Sequence, residues 1–439
     1  MRQLLFQTGA VWLLLGFLAG CKTPVSGVFG KRTPHEAYTA RLSAAGLDGT
    51  TLGRHWLEAA SRSLSQPSVV TAPYSENGYF AADRPGAVGL RFPARRGEKL
   101  QISLETVPSA GFTIYMDLWR VDGNTSELKL LAAADTSSRS LEYEADGNHS
   151  LLLRIQPELL ESGEYTLSIR TGPSLAYPIR APGKNHIQSY WGASRDAGAR
   201  RHEGIDLFAK FRTPVVAAAD GTVTNVGESN LGGKTVWLRP AGKSFVLYYA
   251  HLDEQLVQQG QRVKAGDTLG LMGNTGNART TPPHLHFGIY MQGGAVDPLA
   301  FVNPVIKDPP AIRAPEGLAG KTVRILSAKA GIYPAPKTDT TSISLSRYTP
   351  LRVEAATGNW LRVQLPDRQT GYISSTAVTE LDKPVRNRRL TAASPLWEIP
   401  DTLSARKAIL SAGETVAVLG AYDDYYLVRY NGGEEGWIR

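Results

Sequence analysis

Four of the chain's 8 histidines lie between positions 202 and 286, in short patterns that could bind a metal ion. His202 is followed four residues later by Asp206, and His284 and His286 are two residues apart. On a β-strand, residues i and i+2 project from the same face, so the last two imidazoles would point together. Catalytic zinc takes three nitrogen or oxygen ligands and keeps one position for water. His202, Asp206 and one histidine of the 284–286 pair would supply this set. The other histidine of that pair and His251 would then lie beside the metal-bound water.

The string His-Glu-Gly-Ile-Asp at positions 202–206 differs from the helical zinc motif with two histidines four residues apart. Its fifth residue is an aspartate, and Gly204 among β-forming residues favours a strand-to-loop setting. Glu203 would then face away from its neighbours, and we do not expect it to be the general base. A single histidine is more often structural, but three such patterns in one segment predict a metal site.

The composition limits what could hold a metal and what could bind the chain. With 439 residues, of which 42% are hydrophobic and 20% charged, global disorder is excluded and several domains are expected. A single cysteine excludes an intramolecular disulfide and a cysteine-based zinc site, so any metal must be held by histidine and carboxylate. The net charge of +8 favours acidic partners in general. We expect no nucleic-acid partner.

The first 21 residues form an export-type segment that ends at the only cysteine. Met1-Arg2-Gln3 is followed by an uncharged, mostly apolar stretch from 4 to 18, which is short for a spanning helix of about 20 residues. The string Leu-Ala-Gly-Cys at 18–21 resembles a bacterial lipobox, which implies a lipoprotein signal peptide and lipidation of Cys21. Lys22 replaces the aspartate associated with inner-membrane retention. We therefore expect a lipid-anchored envelope protein, on the periplasmic face of the outer membrane if the host is Gram-negative.

The remaining sequence predicts a mainly β chain. Thr33, Pro34 and Glu36 form a helix start with a capping residue, a proline at the first helical position and a capping-box glutamate. From about 75 to 172, apolar and polar residues alternate between Gly, Asp and Asn turns, which is typical of an antiparallel sandwich. Residues 306–320 are rich in Pro and Gly, as in a linker.

The C-terminal part contains an internal repeat. Residues 359–373 align without gaps to residues 424–438, and each copy ends in Gly-aromatic-Ile. Two strand-rich units of this kind resemble bacterial SH3-like barrels, which commonly accompany wall enzymes and hold wall peptides. Aromatic side chains could line a binding surface there, although core packing would explain at least half of them. These residues are Tyr333, Trp360, Tyr372, Trp397, Tyr425, Tyr426 and Trp437.

From about 185 to 304 the chain resembles the catalytic domain of the M23 (LytM/lysostaphin-type) zinc metallopeptidases. The matching strings include Arg-His-Glu-Gly-Ile-Asp at 201–206, Tyr-Ala-His-Leu at 249–252, Gly-Asn-Thr-Gly at 273–276 and His-Leu-His-Phe at 284–287. The resemblance implies an antiparallel β-sheet groove and one Zn²⁺ bound by His202, Asp206 and His286. It implies that His251 and His284 are the two catalytic histidines that do not bind the metal. Residues 279–283 depart from the family's usual approach to His284.

The resemblance and the export segment together predict a zinc endopeptidase that hydrolyses peptide cross-links in peptidoglycan during wall remodelling, growth or division. In a Gram-negative host the D-Ala–diaminopimelate bond is favoured over a glycine bridge. His251 or His284 would move the proton and the other would stabilise the oxyanion, and the sequence leaves this assignment open. One alternative is a wall-binding, non-catalytic activator or scaffold of another hydrolase, which would be expected to have a broken ligand set. Another is a metallopeptidase that acts on a protein.

The expected partners are peptidoglycan peptides, the membrane through the lipid anchor, and a regulatory protein of unknown identity. Because the N-terminal domains precede the catalytic segment, they could also cover its groove and hold the enzyme latent. The predicted divisions are a lipoprotein signal peptide (1–21), a linker with short helices (22–74), a β-sandwich (75–180), an M23-type zinc peptidase domain (181–305), a linker (306–320) and two SH3-like domains (321–381 and 388–439).

Overall fold

The computed structural model describes residues 32–123, 125–181, 186–195, 198–338, 342–431 and 433–439. The predicted signal peptide and Cys21 lie outside these residues. Strands make up 49% of the described residues and helices 10%, which confirms the mainly β prediction. None of the helices in the described ranges has both the length and the apolar character that a membrane span requires.

Two helices open the described chain, α1 (Pro34–Ala44) and α2 (Thr51–Ser65). At the start of α1, the Glu36 backbone N–H donates to the Thr33 hydroxyl at 3.1 Å, and the Thr33 N–H donates to the Glu36 carboxylate at 2.8 Å. This reciprocal cap satisfies two N–H groups that a helix end leaves unpaired. Helix α2 buries Trp56 completely. Its indole N–H donates to the Pro157 carbonyl at 2.8 Å, which fixes the helix against the strand that ends there.

The following strands form two facing sheets. One sheet has the order β1-β3-β8-β5-β6, and the other contains the order β2-β9-β4-β7. Along β4, Leu100, Ile102 and Leu104 are buried while the residues between them are exposed, as expected for a strand with one face on a core. The strands are β1 (Ser68–Val69), β2 (Tyr74–Phe80), β3 (Val88–Ala94), β4 (Glu98–Val107), β5 (Ile114–Val121), β6 (Leu128–Ala133), β7 (Ser140–Glu144), β8 (His149–Pro157) and β9 (Gly163–Pro173).

The histidine-rich segment folds into an antiparallel sheet of order β10-β13-β20-β17-β16-β15-β18, with β14, β19 and β21 paired to its members. The central strands β13, β20 and β17 pack one face on a core of apolar side chains, which include Leu207, Tyr249 and Phe287. The elements are β10 (Ile187–Ser189), β11 (Ser194–Arg195), β12 (Arg200–Arg201), β13 (Ile205–Phe208), β14 (Pro214–Val216), β15 (Gly221–Ser229), β16 (Gly233–Pro240), β17 (Val246–Gln255), β18 (Arg262–Val263), β19 (Thr268–Met272), β20 (His284–Met291), β21 (Gly294–Val296) and α3 (Leu299–Val302).

The C-terminal part contains two groups of short strands. The first group is β22 (Thr322–Ile325), β23 (Lys329–Ile332), β24 (Ile343–Ser346), β25 (Pro350–Thr357), β26 (Trp360–Gln364), β27 (Thr370–Ser374) and β28 (Val378–Glu380). The second group is β29 (Arg386–Arg389), β30 (Ser394–Trp397), β31 (Arg406–Leu410), β32 (Thr415–Tyr422), β33 (Tyr425–Tyr430) and β34 (Glu434–Ile438). The sequence repeat coincides with matching hairpins, β26–β27 and β33–β34.

Two of the aromatic residues proposed for a binding surface are core residues. Tyr372 is fully buried and packs in the hydrophobic core of the sandwich, and Trp437 is 7% exposed. The other five are half-buried. Any binding surface on the SH3-like units is therefore formed without Tyr372 and Trp437.

The sandwich and the first SH3-like unit share one continuous sheet. Strand β2 of the sandwich pairs with β25, where Asn77 lies opposite Ala356 and Gly78 lies opposite Ala355. The predicted linker lies along the sandwich, because the Ser75 hydroxyl donates to the Pro310 carbonyl at 2.8 Å. These contacts join two parts of the chain that are more than two hundred residues apart in sequence.

A buried ion pair sits at this junction. The Arg362 guanidinium lies 3.1 Å from the Glu76 carboxylate, and the two side chains are 3% and 0% exposed. The hydroxyls of Tyr74 and Tyr165 donate to the same carboxylate at 2.7 Å each. Burial alone would lower the pKa of Arg362, but the Glu76 carboxylate holds that pKa well above its ordinary value. Removing one partner would leave the other charge buried and unpaired.

We expect Arg362→Leu to lower the free energy of unfolding of the sandwich by about 3–5 kcal/mol, because Glu76 would lose its counter-charge. Lys321→Met is the matched control, since Lys321 forms an exposed ion pair with Glu380 in the same unit, and exposed pairs contribute little to stability. Urea denaturation would measure both. Equal losses for the two variants would contradict the prediction, whereas the double variant Glu76→Gln/Arg362→Leu should recover part of the loss.

A second buried polar group, His35 of α1, couples the fold to pH. Its ring stacks on Trp56 with centroids 4.9 Å apart, and its Nε2 lies 2.7 Å from the Gln156 side-chain oxygen. Burial, aided by the Arg154 charge, lowers the pKa of His35 from 6.5 to about 4. Between these values the unfolded chain binds a proton that the folded chain does not bind. Stability is therefore lost as the pH falls from about 6.5 towards 4.

The pKa shift of His35 should contribute a loss on the order of 3 kcal/mol over this pH window, because one pKa unit corresponds to about 1.4 kcal/mol. His35→Gln should remove this contribution and so reduce the slope of stability against pH, whatever its stability at neutral pH. His55→Gln, at an exposed histidine of α2, should retain it. The readout is urea denaturation at several pH values, followed by hydrogen exchange of the α2 amides. An unchanged slope in His35→Gln would disprove the assignment.

Candidate metal centre

Three strands and two adjoining loops bring the predicted site residues together. In the antiparallel pair β13–β20, Asp206 lies opposite His286 and Phe208 lies opposite His284. On the other side of β20, strand β17 places Ala250 opposite His286, and His251 follows it. His202 precedes β13 and is held by its neighbours in the loop. The i, i+2 spacing puts His284 and His286 on one face of β20, as the sequence indicates.

Three candidate ligand atoms form a nearly equilateral triangle. Nε2 of His202, Oδ1 of Asp206 and Nδ1 of His286 are each 3.0 Å from the other two. Zinc bonds of about 2.0–2.1 Å in a tetrahedral site place ligand atoms roughly 3.3 Å apart. The triangle therefore has the donor types and the size that a zinc ion requires. It is the only such group of three or more His, Cys, Asp or Glu ligands among the described residues.

Backbone carbonyls orient the imidazoles. Nδ1 of His202 lies 2.9 Å from the Tyr190 carbonyl oxygen, so this nitrogen carries the proton and Nε2 keeps its lone pair. His251 and His284 make the same kind of contact, each at 2.9 Å, with the carbonyls of Thr275 and Pro282. Because a carbonyl only accepts, Nδ1–H must donate in all three cases. Nε2 of His251 and of His284 is thereby free to exchange a proton.

The two histidines outside the triangle lie against each other. The ring centroids of His251 and His284 are 4.9 Å apart, and the His284 ring stacks on Phe208 at 4.8 Å. His251 has a positive φ of 64°, a conformation uncommon for a residue with a side chain. Its backbone N–H donates to the Gly232 carbonyl at 2.8 Å, which holds the chain in this conformation.

The protonation states suit metal binding at neutral pH. Burial lowers the pKa of His251 to about 4, aided by the neighbouring His284 and His286. Burial also lowers the pKa of His286. For Asp206, burial would raise the pKa, but the imidazoles of His202 and His286 beside the carboxylate hold it well below its usual range. Asp206 is therefore present as a carboxylate and His286 as a neutral imidazole, which are the forms that ligate a metal.

Arg195 is a site residue to which the sequence analysis assigned no role. Its Nη2 lies 2.7 Å from Oδ2 of Asp206 and 2.6 Å from the Ser189 hydroxyl. Ser189 is held opposite Asp206 by the pairing of β10 with β13. One oxygen of the Asp206 carboxylate thus faces the two imidazoles while the other is held by a guanidinium. No local spacing signals this contact, because it joins a short hairpin to a neighbouring strand.

Two segments match known family profiles. Residues 200–298 match peptidase family M23, and residues 325–380 match the YKFC SH3b2 domain. Over 106 residues the chain is 42% identical to an uncharacterized metalloprotease of Haemophilus influenzae, which covers 24% of this chain and 22% of that protein. Over 133 residues it is 34% identical to the peptidoglycan DD-endopeptidase ShyC of Vibrio cholerae, which covers 30% and 28%.

Among solved structures, the catalytic domain of lysostaphin from Staphylococcus simulans is 32% identical, with a TM-score of 0.25. That match covers 28% of this chain and 97% of the lysostaphin domain. The chain spans about a quarter of the length of the two curated relatives. The chain therefore contains a peptidase M23 domain at residues 200–298 and an SH3b domain at residues 325–380.

Proposed function

We propose that this protein is a zinc-dependent endopeptidase that hydrolyses peptide cross-links in peptidoglycan, with the D-Ala–diaminopimelate bond as its preferred target. The observation that carries the proposal is the triangle of His202, Asp206 and His286 with two further histidines beside it, within an M23 domain. A relative named as a peptidoglycan DD-endopeptidase supports this class of bond. The complete donor set speaks against a non-catalytic activator.

In this proposal His202, Asp206 and His286 hold one zinc ion, and His251 and His284 carry out the proton transfers. Zinc bound there would polarise the scissile carbonyl and lower the pKa of water. Nε2 of one free histidine takes a proton from the attacking water and later delivers it to the leaving amine. The other histidine, once a second proton on Nε2 makes it an imidazolium, would donate that N–H to the oxyanion that develops on the carbonyl oxygen. The Nδ1 contacts with backbone carbonyls keep both rings in position for these tasks.

We also propose that the protein acts in the cell envelope, anchored through a lipid on Cys21. The lipobox-like string at 18–21 supports this placement, and it lies outside the described residues. Peptidoglycan would then be within reach of the metal centre. The SH3-like units would hold wall peptides near it, in keeping with the matched SH3b domain.

The direct test uses the chain from Lys22 onward, incubated with purified peptidoglycan and defined cross-linked muropeptides. Mass spectrometry of the products would identify the bond. We expect cross-linked dimers to disappear, and we expect a chelator or His202→Ala to prevent this, while His55→Ala at an exposed histidine has no effect. Dimers that stay intact although zinc is tightly bound would contradict the endopeptidase assignment. Absence of bound zinc would contradict the metal assignment.

Replacing a proposed ligand histidine should remove zinc, whereas replacing a proposed catalytic histidine should remove activity and leave zinc bound. His286→Ala should lose zinc, because it removes one corner of the triangle. His251→Ala and His284→Ala should retain stoichiometric zinc and lose about 10²–10⁴-fold in kcat, the usual contribution of general acid–base groups. Elemental analysis gives the zinc content, and muropeptide hydrolysis gives the rate. Loss of zinc in His251→Ala would reverse the assigned roles.

Arg195→Met should weaken zinc binding by about 10–100-fold, the usual effect of removing a group that orients a metal ligand. The physical reason is that Oδ2 of Asp206 would lose its guanidinium partner, leaving the carboxylate free to rotate. Arg201→Met is the matched control, since Arg201 lies exposed on the neighbouring strand of the same hairpin. Competition with a chromophoric chelator measures the affinity. Equal zinc affinities for the two variants would rule out the positioning role.

A further inference from the structure

A cleft of about 820 Å³ lies between the sandwich and the peptidase sheet, and the proposed chemistry does not use it. One wall comes from the turn between β3 and β4 and from the start of β8. The other comes from the loop after β10, from β21 and from the segment that follows α3. The residues with side chains suited to ligand contacts are Arg95, Arg96, His149, Trp191, Asp297 and Lys307.

The shape of the cleft is fixed, because the sandwich and the peptidase domain contact each other directly behind it. Gly97 has a φ of +86°, and a Cβ there would lie 2.4 Å from the Phe301 ring, so the peptidase domain packs directly on the sandwich backbone. The Leu175 N–H donates to the Phe301 carbonyl at 2.8 Å. Lys243 of the peptidase sheet and Glu144 of the sandwich add an ion pair across the same boundary.

The cleft adjoins the metal centre. Trp191 lies between Tyr190, whose carbonyl accepts from His202, and Gly192, whose N–H donates to the His202 carbonyl at 2.9 Å. Strand β21, on the same wall as Trp191, pairs with the far half of β20, where Val296 lies opposite Ile289. Ile289 is three residues beyond His286, which is about 10 Å along a strand.

The lining has the chemistry of a saccharide site. The half-buried Trp191 offers a flat apolar surface, and Arg95 and Lys307 have no side-chain partner among the described residues. Their N–H groups can donate to hydroxyl and acetamido oxygens, which are acceptor-rich. Such a combination of one aromatic face and a few polar groups is typical of ligand pockets.

We propose that this cleft binds the glycan strand that carries the stem peptide undergoing cleavage. The proposal rests on the proposed function and extends it from the peptide to the sugar. From the glycan to the D-Ala–diaminopimelate bond, the stem peptide has four residues, about 13 Å when extended. This length is close to the distance along β20 from the cleft to His286. A sugar in the cleft would therefore place the cross-link at the metal centre.

The test compares two substrates with the same cross-linked peptide, one still attached to its glycan chain and one freed of sugar by an amidase. The proteins are the chain from Lys22 onward, Trp191→Ala, Arg95→Ala/Lys307→Ala, and Lys129→Ala as an exposed control on β6. We expect the cleft variants to lose about tenfold in kcat/KM, through KM, on the glycan-bearing substrate only. Losses that are equal on both substrates, or absent on both, would overturn the proposal.

A second readout separates this proposal from the proposed function. Isothermal titration calorimetry with glycan chains stripped of peptide measures the affinity of the protein for the sugar, and it requires no hydrolysis. Binding that is weakened about tenfold in the cleft variants and unchanged in Lys129→Ala would support the saccharide site, even if no cross-link were cut. Glycan chains that bind all four proteins equally, or none of them, would overturn it, even if the enzyme cut cross-links as proposed.

Discussion

The antiparallel register between β13 and β20 is the constraint on which the site depends. It sets Asp206 opposite His286, and the next strand places Ala250 opposite His286. The positive φ of His251 then turns its ring to the same side as His286, with centroids 5.9 Å apart. Side chains alternate between faces along a strand, so a shift of one residue would turn His286 into the core and expose Phe287. The apolar residues that alternate with the site residues on these strands prevent such a shift, because Leu207, Leu285 and Phe287 are fully buried.

The site also requires partners that balance the negative charge of the Asp206 carboxylate. A carboxylate that is nearly buried needs several partners, and this one has two imidazoles on one oxygen and the Arg195 guanidinium on the other. One carboxylate oxygen thus faces the imidazole nitrogens and the other faces the guanidinium. The negative charge of Asp206 by itself would raise the pKa of His286, and burial outweighs this effect and keeps that ring neutral.

Outside the site, the sandwich contacts both the first SH3-like unit and the peptidase domain. The sheet of the sandwich continues into the first SH3-like unit, and the Glu76–Arg362 pair is buried at the junction. On its other side the sandwich meets the peptidase domain at Gly97 and Phe301. The sandwich therefore acts as a frame that positions the peptidase domain and the SH3b domain, although it has no reactive cluster of its own among the described residues.

The sequence by itself determined the features that depend on short spacing. His284 and His286 share a face because a strand repeats every two residues, and Thr33 caps α1 because its hydroxyl reaches a backbone N–H three residues on. The family-specific strings identified the peptidase domain. Only the tertiary structure decided the contact of Arg195 with Asp206, the burial of Tyr372 and the cleft beside Trp191. These features depend on how loops, hairpins and whole sheets pack against one another, and such packing leaves no periodic signal in the sequence.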